Sequence, residues 1–125
     1  MAAMLKLPHA FPFRFIPREE GSPHLAFTAS SDDAVCRGGP VPPWVILEAL
    51  TQAAGLLCAS EGASGGALVQ VAGYRCPRPA WPGDTLELRG ALQKRMGPLI
   101  RVRIRALRSG RLVASGTLTL REVAR

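Results

Sequence analysis

The stretch RGGPVPPWVILEALTQAAGLLCA, residues 37–59, decides how this chain folds. It is a long apolar run that carries one carboxylate, Glu48, in its middle. Burying a polar group without a partner costs roughly 2–7 kcal/mol, and an isolated charge costs more. The run therefore predicts a buried helix, and Glu48 needs either a partner or a function.

The residues around Glu48 predict one helix, from about Pro43 to about Ala59. Proline suits the first helical turn, and the leucines and alanines that follow favour a helix. At 100° per residue, the helix has one purely apolar face and one face that mixes polar and small residues. The apolar face comprises Ile46, Leu50, Ala53 and Leu57, and the mixed face comprises Trp44, Glu48, Thr51, Gln52, Gly55 and Ala59. We therefore expect protein around most of the helix, with a polar stripe that faces a cavity or an interface.

After the glycine-rich connection EGASGGA, the apolar period changes to two, which predicts strands. Alternating segments cover residues 68–72, 85–89, 100–106 and 112–120, with turns at Pro82-Gly83-Asp84 and at Ser109-Gly110. One buried helix with antiparallel strands predicts an α+β fold, in which the apolar side of a curved sheet wraps around the helix. The length of 125 residues predicts a single domain, residues 1–125.

Composition excludes several classes of protein. The net charge of +7 suits an acidic partner, but aromatic residues are scarce and no nucleic-acid motif occurs, so we do not expect nucleic acid. Three cysteines without a CxxC pair indicate reduced thiols and a cytoplasmic protein. His9 and His24 lack metal-ligand spacing, so we expect no metal site. The N-terminus resembles no signal peptide, and polar residues interrupt the longest apolar run, so we expect no membrane span.

Five segments in this order resemble the hot-dog-fold 3-hydroxyacyl-acyl carrier protein dehydratases. They are LPHAFPF, PVPPWVILEALTQAAG, RCPRPAWPGDTLEL, LQKRMGPLIRVRIRAL and GRLVASGTLTL. The resemblance covers nearly the whole chain, and ILEALTQAAG together with RPAWPGD is its most specific part. It implies a long central helix wrapped by a curved antiparallel sheet, and a dimer with active sites at the subunit interface.

The resemblance also implies the chemistry. Members of this family remove water from a 3-hydroxyacyl thioester, carried on the phosphopantetheine of an acidic acyl carrier protein, without a metal or redox cofactor. Elimination needs a base for the α-proton and an acid for the departing hydroxyl. An apolar pocket raises the pKa of a carboxyl, which lets it hold and then donate a proton near neutral pH. Glu48 matches the helix carboxylate of the family, and Gln52 matches a glutamine that orients it.

Other positions match the family less specifically. Gly39 and Pro40 fit a Gly-x-Pro portion that places a backbone amide against the thioester carbonyl, and three aromatic residues are candidates for lining the acyl site: Trp44, Tyr74 and Trp81. Four basic residues match family positions that could meet the carrier protein or its phosphate: Arg75, Arg78, Lys94 and Arg95. The simpler interpretations are core packing for the aromatic residues and solvated charge for the basic ones.

One feature departs from the family pattern. The family has a catalytic histidine in a GHFPG-like loop before the helix, whereas the corresponding DDAVCRGGPVPPW contains no histidine. His9 matches a non-catalytic family position, and His24 is more typical of a strand or loop. A related hot-dog subunit could supply the histidine in a heterodimer, in place of a homodimer.

The missing histidine could also be replaced or dispensable. A residue such as Cys36, beside Arg37, or Asp33 could act as a substitute base. Alternatively, Glu48 could hydrolyse acyl thioesters alone, as in some hot-dog thioesterases. A non-catalytic acyl-binding subunit is a further possibility. The sequence does not determine the acyl chain length or whether the chain serves fatty acid, polyketide or aryl polyene synthesis.

Overall fold

A computed structural model describes residues 15–17, 25–28, 38–60 and 66–122. The elements in chain order are β1 (Phe15–Pro17), β2 (Leu25–Thr28), α1 (Pro43–Ser60), β3 (Gly66–Arg75), β4 (Thr85–Met96), β5 (Leu99–Arg108) and β6 (Arg111–Glu122). Residues 61–65 of the EGASGGA connection lie outside the described residues, whereas its last two residues, Gly66 and Ala67, already belong to β3.

The strands form one antiparallel sheet in the order β1-β2-β4-β5-β6-β3. Strand β3 pairs with β6 rather than with β4, so the chain crosses from one edge of the sheet towards the other after β3. Within the described residues, β3 is therefore an edge strand. The α+β architecture predicted from the sequence is confirmed.

Helix α1 packs across one face of this sheet, against strands β3 to β6. Its predicted apolar face is buried, since Ile46, Leu50 and Ala53 are fully buried, and Gln52 of the mixed face is buried as well. They pack against side chains that alternate along the strands, which include Leu86, Leu88, Ile100, Val102, Ile104, Leu118 and Leu120. No helix among the described residues is long and apolar enough to cross a membrane.

The sequence predicted four of the strands, β3 to β6, but made each of them too short. Strand β4 continues to Met96, because its second half pairs with β5 as far as Met96 opposite Leu99. The strands β5 and β6 meet at the predicted Ser109-Gly110 turn, where both residues have a positive φ, of 50° and 80°. Two positive φ values match the right-handed twist of a tight hairpin.

Helix α1 approaches β4 closely at Gly90. A Cβ atom added at Gly90 would lie 2.3 Å from Leu57 Cδ1, which is far inside van der Waals contact. Leu57 itself is buried, so its side chain has little room to move. Because Gly90 has no side chain, the C-terminal half of α1 can pack closely against β4.

We predict that Gly90→Ala lowers the free energy of unfolding by about 1–3 kcal/mol, because the new methyl group overpacks the core against Leu57. Gly116→Ala is the matched control, since a Cβ there would be 3.6 Å from Tyr74, an ordinary contact. Urea denaturation of both variants measures the difference. Equal stability of the two variants would contradict the close approach.

The predicted Pro82-Gly83-Asp84 turn is present and is closed by reciprocal hydrogen bonds. The Asp84 backbone N–H donates to the Trp81 carbonyl at 2.9 Å, and the Trp81 backbone N–H donates to Asp84 Oδ2 at 2.9 Å. Arg108 Nη1 also donates to Asp84 Oδ2, at 2.7 Å. The Trp81 N–H first, and the Arg108 guanidinium second, lower the pKa of Asp84 below its usual value.

We predict that Asp84→Asn lowers the free energy of unfolding at pH 7 by roughly 0.5–1 kcal/mol, because the charged form makes the stronger contacts in the fold. Since folding lowers the pKa of Asp84, its contribution is complete above the unfolded value of about 3.9 and is lost as the pH falls through the folded value. Denaturation curves between pH 7 and pH 2.5 should show the gap between wild type and variant closing. A gap that stays constant over this range would contradict the prediction.

Candidate active site

The polar stripe of α1 contains the predicted pair Glu48 and Gln52. Gln52 Nε2 donates to Glu48 Oε2 at 3.2 Å, one helical turn away. Glu48 is partly buried and Gln52 is only 7% exposed. Among the described residues, no cationic side chain forms an ion pair with Glu48. Within this part of the chain, the carboxyl group of Glu48 is therefore held by an amide and not by a cation.

Gln52 presents a second feature that the sequence did not predict. Its Oε1 atom is buried and has no hydrogen-bond partner among the described residues. The neighbouring Thr51 differs, because its Oγ1 donates to the Leu47 carbonyl at 2.9 Å. Only the hydrogen bond to Glu48 could be expected from the spacing of four residues; the orphan oxygen depends on what surrounds the helix.

Two hydrogen bonds attach other segments to the start of α1. The Tyr74 hydroxyl, at the end of β3, donates to the Pro43 carbonyl at 2.6 Å. The Val41 backbone N–H donates to the Ala80 carbonyl at 2.7 Å, which joins the segment before the helix to the corner between β3 and β4. The start of the helix is thus fixed from two sides.

These contacts bring together the segments that carry the five predicted acyl-site residues. Gly39 and Pro40 directly precede Val41, and Trp81 directly follows Ala80. Trp44 is 60% exposed and Trp81 is 47% exposed, so neither belongs to the core. Tyr74 is half-buried and packs against the core as well as holding the helix. Contact of these residues with an acyl chain stays a prediction.

The structure separates the four predicted carrier-binding residues into two pairs. Arg75 ends β3 opposite Ser115, and Arg78 lies in the following corner. Lys94 and Arg95 lie near the end of β4, where Arg95 forms an ion pair with Glu122, whose register partner is Gly66 at the start of β3. Gly66 and Arg75 are nine residues apart along β3, which corresponds to about 30 Å at roughly 3.3 Å per residue. Because Arg95 lies at the Gly66 end and Arg75 at the other end, the two pairs lie at opposite ends of the sheet.

Two of these basic residues also have structural contacts. Arg78 Nη1 donates to the Leu112 carbonyl at 2.8 Å and so attaches the corner to β6. Arg95 is engaged by Glu122. Arg75 and Lys94 are exposed and form no ion pair with another described residue. Their role in carrier binding stays a prediction.

The two cysteines that the structure describes are not activated. Burial raises the pKa of the Cys58 thiol and of the Cys76 thiol, so both favour the protonated form. Burial, followed by the neighbouring Cys76, also raises the pKa of Tyr74. Among the described residues, no group of three or more histidine, cysteine and acidic side chains could hold a metal ion.

The remaining candidates lie outside the described residues. These are the proposed substitute bases Asp33 and Cys36, with Arg37 beside Cys36, and both histidines of the sequence, His9 and His24. The described part of the chain therefore contains Glu48, the predicted catalytic carboxyl group, and contains no histidine.

Comparison with known sequences relates the chain to one family of enzymes. No protein-family model matches it. However, it is 37% identical to the 3-hydroxyacyl-acyl-carrier-protein dehydratase FabZ of Lactococcus lactis subsp. cremoris, over 93% of this chain and 89% of that protein. It is 38% identical to the FabZ of Thermus thermophilus, over 90% of this chain and 89% of that protein.

Comparison with solved structures identifies the fold. The crystal structure of smu.793 from Streptococcus mutans UA159 bound to acetyl CoA matches with a TM-score of 0.77 at 18% identity, over 98% of each chain. A hypothetical thioesterase from Streptococcus pneumoniae TIGR4, solved with coenzyme A, matches with a TM-score of 0.73 at 15% identity, over 93% of this chain and 92% of that one. The dehydratase heterocomplex ApeI:P from Xenorhabdus doucetiae matches with a TM-score of 0.62 at 18% identity, over 82% and 76% of the two chains. The hot-dog fold expected from the resemblance is confirmed, and by its sequence the chain belongs to the FabZ family of 3-hydroxyacyl-acyl-carrier-protein dehydratases.

Proposed function

We propose that this chain is a dehydratase subunit that acts on 3-hydroxyacyl thioesters of an acyl carrier protein, in fatty acid or polyketide-type synthesis in the cytoplasm. The observation that carries the proposal is the Glu48–Gln52 pair on the polar stripe of α1, in a chain of the FabZ family. Gln52 holds the carboxyl group in place through the hydrogen bond from its Nε2 atom.

In the proposed reaction, Glu48 acts as the general acid. A base removes the proton from C2 of the acyl chain, the electron pair forms the double bond between C2 and C3, and the C3–O bond breaks. Protonated Glu48 gives its proton to the departing hydroxyl, which leaves as water. This route needs an acid and a base alone, and we propose that no metal or redox cofactor takes part.

The base comes from a second subunit in this proposal. The described residues contain no histidine, and one structural neighbour is itself a dehydratase heterocomplex. A related hot-dog chain that carries the loop histidine would complete the site across the interface. A homodimer would instead need a base from within this sequence.

The edge strand β3 is the surface that would pair with this subunit. All ten of its residues are exposed or only partly buried, and they include Leu68, 42% exposed, and Val69, 56% exposed. An edge strand with apolar side chains and free backbone groups favours pairing with another strand. We propose that β3 pairs antiparallel with the corresponding strand of a second hot-dog subunit.

Antiparallel pairing of β3 also suggests how the basic residues bind a carrier protein. It places the end of one β3 beside the start of the other, so Arg75 and Arg78 of this chain would lie at the same end of the dimer as the partner positions that correspond to Lys94 and Arg95. Each end of the dimer would then present a composite basic surface. Such a surface suits an acidic carrier protein, and the net charge of +7 supports this partner.

Hydrolysis is the alternative chemistry. A solved structural neighbour is a hypothetical thioesterase, and a carboxylate such as Glu48 can attack a thioester or activate water without a histidine. A subunit that binds acyl groups without turnover is the non-catalytic alternative. All three functions place the acyl chain beside α1, and they differ in the product formed.

We predict that Glu48→Gln lowers the rate of enoyl product formation by about 10²–10⁴-fold, because the amide holds the same shape but donates no proton to the leaving group. The measurement uses a 3-hydroxyacyl thioester and the chain mixed with a histidine-bearing hot-dog partner. Thr51→Val is the matched control on the same helix, since Thr51 Oγ1 donates to the Leu47 carbonyl and not to Glu48 or Gln52.

The same assay without the partner separates the alternatives. Enoyl product from this chain alone would indicate a substitute base and remove the need for the partner's histidine. Thiol release from a plain acyl thioester, abolished by Glu48→Gln, would support hydrolysis. Full dehydratase activity of Glu48→Gln would contradict the role of Glu48 in either reaction.

We predict that Val69→Lys shifts the chain, or its complex with the partner, from dimer to monomer, because a charge on the free edge of β3 disfavours strand pairing. Sedimentation velocity at several protein concentrations measures this shift. Gln93→Lys adds the same charge at an exposed position of β4, away from the edge, and should leave the assembly unchanged. Dissociation in both variants, or in neither, would contradict pairing through β3.

A further inference from the structure

The buried oxygen of Gln52 is an acceptor for which the described residues provide no donor. Gln52 is 7% exposed, and its Oε1 atom has no hydrogen-bond partner among the described residues. Its Nε2 atom donates to Glu48 Oε2 at 3.2 Å, which fixes the orientation of the amide. Because one end of the amide is held, the other end must present an oxygen, and not an N–H, to whatever lies beside it.

An orphan oxygen of this kind costs stability. A buried acceptor that gives up water without gaining a donor costs about 1–3 kcal/mol. Methionine or leucine at this helical position would avoid that cost, since both favour helices and suit apolar surroundings. Buried polar atoms are nearly always paired in folded proteins, so an unpaired one next to a candidate catalytic carboxyl indicates a ligand that supplies the donor.

The proposed reaction brings one suitable donor to this place. When Glu48 protonates the oxygen of the 3-hydroxyl group, the hydrogen already on that oxygen needs an acceptor of its own. Gln52 is the neighbour of Glu48 on the helix and offers that acceptor. A 3-oxo group has no such hydrogen and would bring a second acceptor against Gln52 Oε1, whereas a saturated chain would leave the oxygen unpaired.

We infer that Gln52 Oε1 accepts a hydrogen bond from the 3-hydroxyl group of the acyl chain, and that Gln52 thereby selects 3-hydroxyacyl thioesters over saturated and 3-oxo ones. This inference rests on the proposed function, because it needs an acyl chain whose C3 lies at Glu48. Gln52 then has two roles: its N–H group positions Glu48, and its oxygen holds the leaving group. The same oxygen would hold the water molecule that forms when the C3–O bond breaks.

The test measures binding, so it does not depend on turnover. The probes are racemic 3-hydroxyoctanoyl pantetheine and octanoyl pantetheine, each with an amide nitrogen in place of the thioester sulfur so that neither reacts. Calorimetric titration into the full-length chain, with its hot-dog partner where one is required for assembly, gives the dissociation constants. We expect wild type to bind the hydroxylated probe about tenfold more tightly, the effect of one hydrogen bond to a buried acceptor.

Substitutions of Gln52 and Glu48 give opposite expectations. Gln52→Met keeps the length of the side chain but removes the amide oxygen, so it should bind both probes with the wild-type affinity for octanoyl pantetheine amide. Glu48→Gln leaves Gln52 in place and should keep the tenfold preference, which separates contact with the hydroxyl from orientation of Glu48. The melting temperature of Gln52→Met should equal or exceed that of wild type, because the orphan oxygen is gone. Gln52→Leu is the second variant, for use if Gln52→Met does not fold.

Three results would overturn the inference. A tenfold preference that survives in Gln52→Met, or in Gln52→Leu, would show that Gln52 does not contact the hydroxyl group. Equal binding of the two probes by wild type would remove the selectivity while leaving the proposed function in place. Failure of wild type to bind either probe would overturn both the inference and the proposed function.

Discussion

The burial of one side of α1 against the curved sheet is the constraint on which the candidate site depends. Ile46, Leu50 and Ala53 are fully buried, and each large apolar side chain contributes roughly 1.5–3 kcal/mol on burial. Because residues about four apart share a face of a helix, burying this set leaves Glu48 and Gln52 on another side. The position of the carboxyl group is therefore set by side chains that take no part in its chemistry.

The loops add a second restraint at the start of the helix. The Tyr74 hydroxyl and the Val41 N–H each tie a different segment to the region around Pro43, and the Arg78 guanidinium ties the corner to β6. These contacts explain why residues expected to touch substrate or carrier also have structural roles here. A tyrosine or arginine in such a place can stabilise the segments around the candidate site and line the site at the same time.

Within the described residues, β3 forms one of the two edges of the sheet, and the candidate site contains a carboxyl group but no histidine. Strand β3 presents apolar side chains and unpaired backbone, whereas the interior strands have neighbours on both sides. Both features are consistent with the assembly of two subunits that we propose. In the proposed assembly, this chain would contribute Glu48 and its partner would contribute the histidine.

The sequence by itself determined the helix, its two faces, the α+β class and the pairing of Glu48 with Gln52. These are local properties: a proline at the first turn, helix-forming residues and a spacing of four decide them without reference to the rest of the chain. The Ser109-Gly110 and Pro82-Gly83-Asp84 turns were predictable for the same reason, because each depends on the conformations open to a few adjacent residues.

Only the tertiary structure decided the length of β4, the place of β3 at the edge, the separation of Arg75 and Arg78 from Lys94 and Arg95, and the orphan oxygen of Gln52. Each of these depends on which distant residues become neighbours. Pairing with β5 extends β4 past Gly90 as far as Met96. Strand β3 lies at the edge because it pairs with β6 rather than with β4, the next strand along the chain. An unpaired acceptor exists only where packing has removed water without bringing a donor, and no pattern along the chain records that.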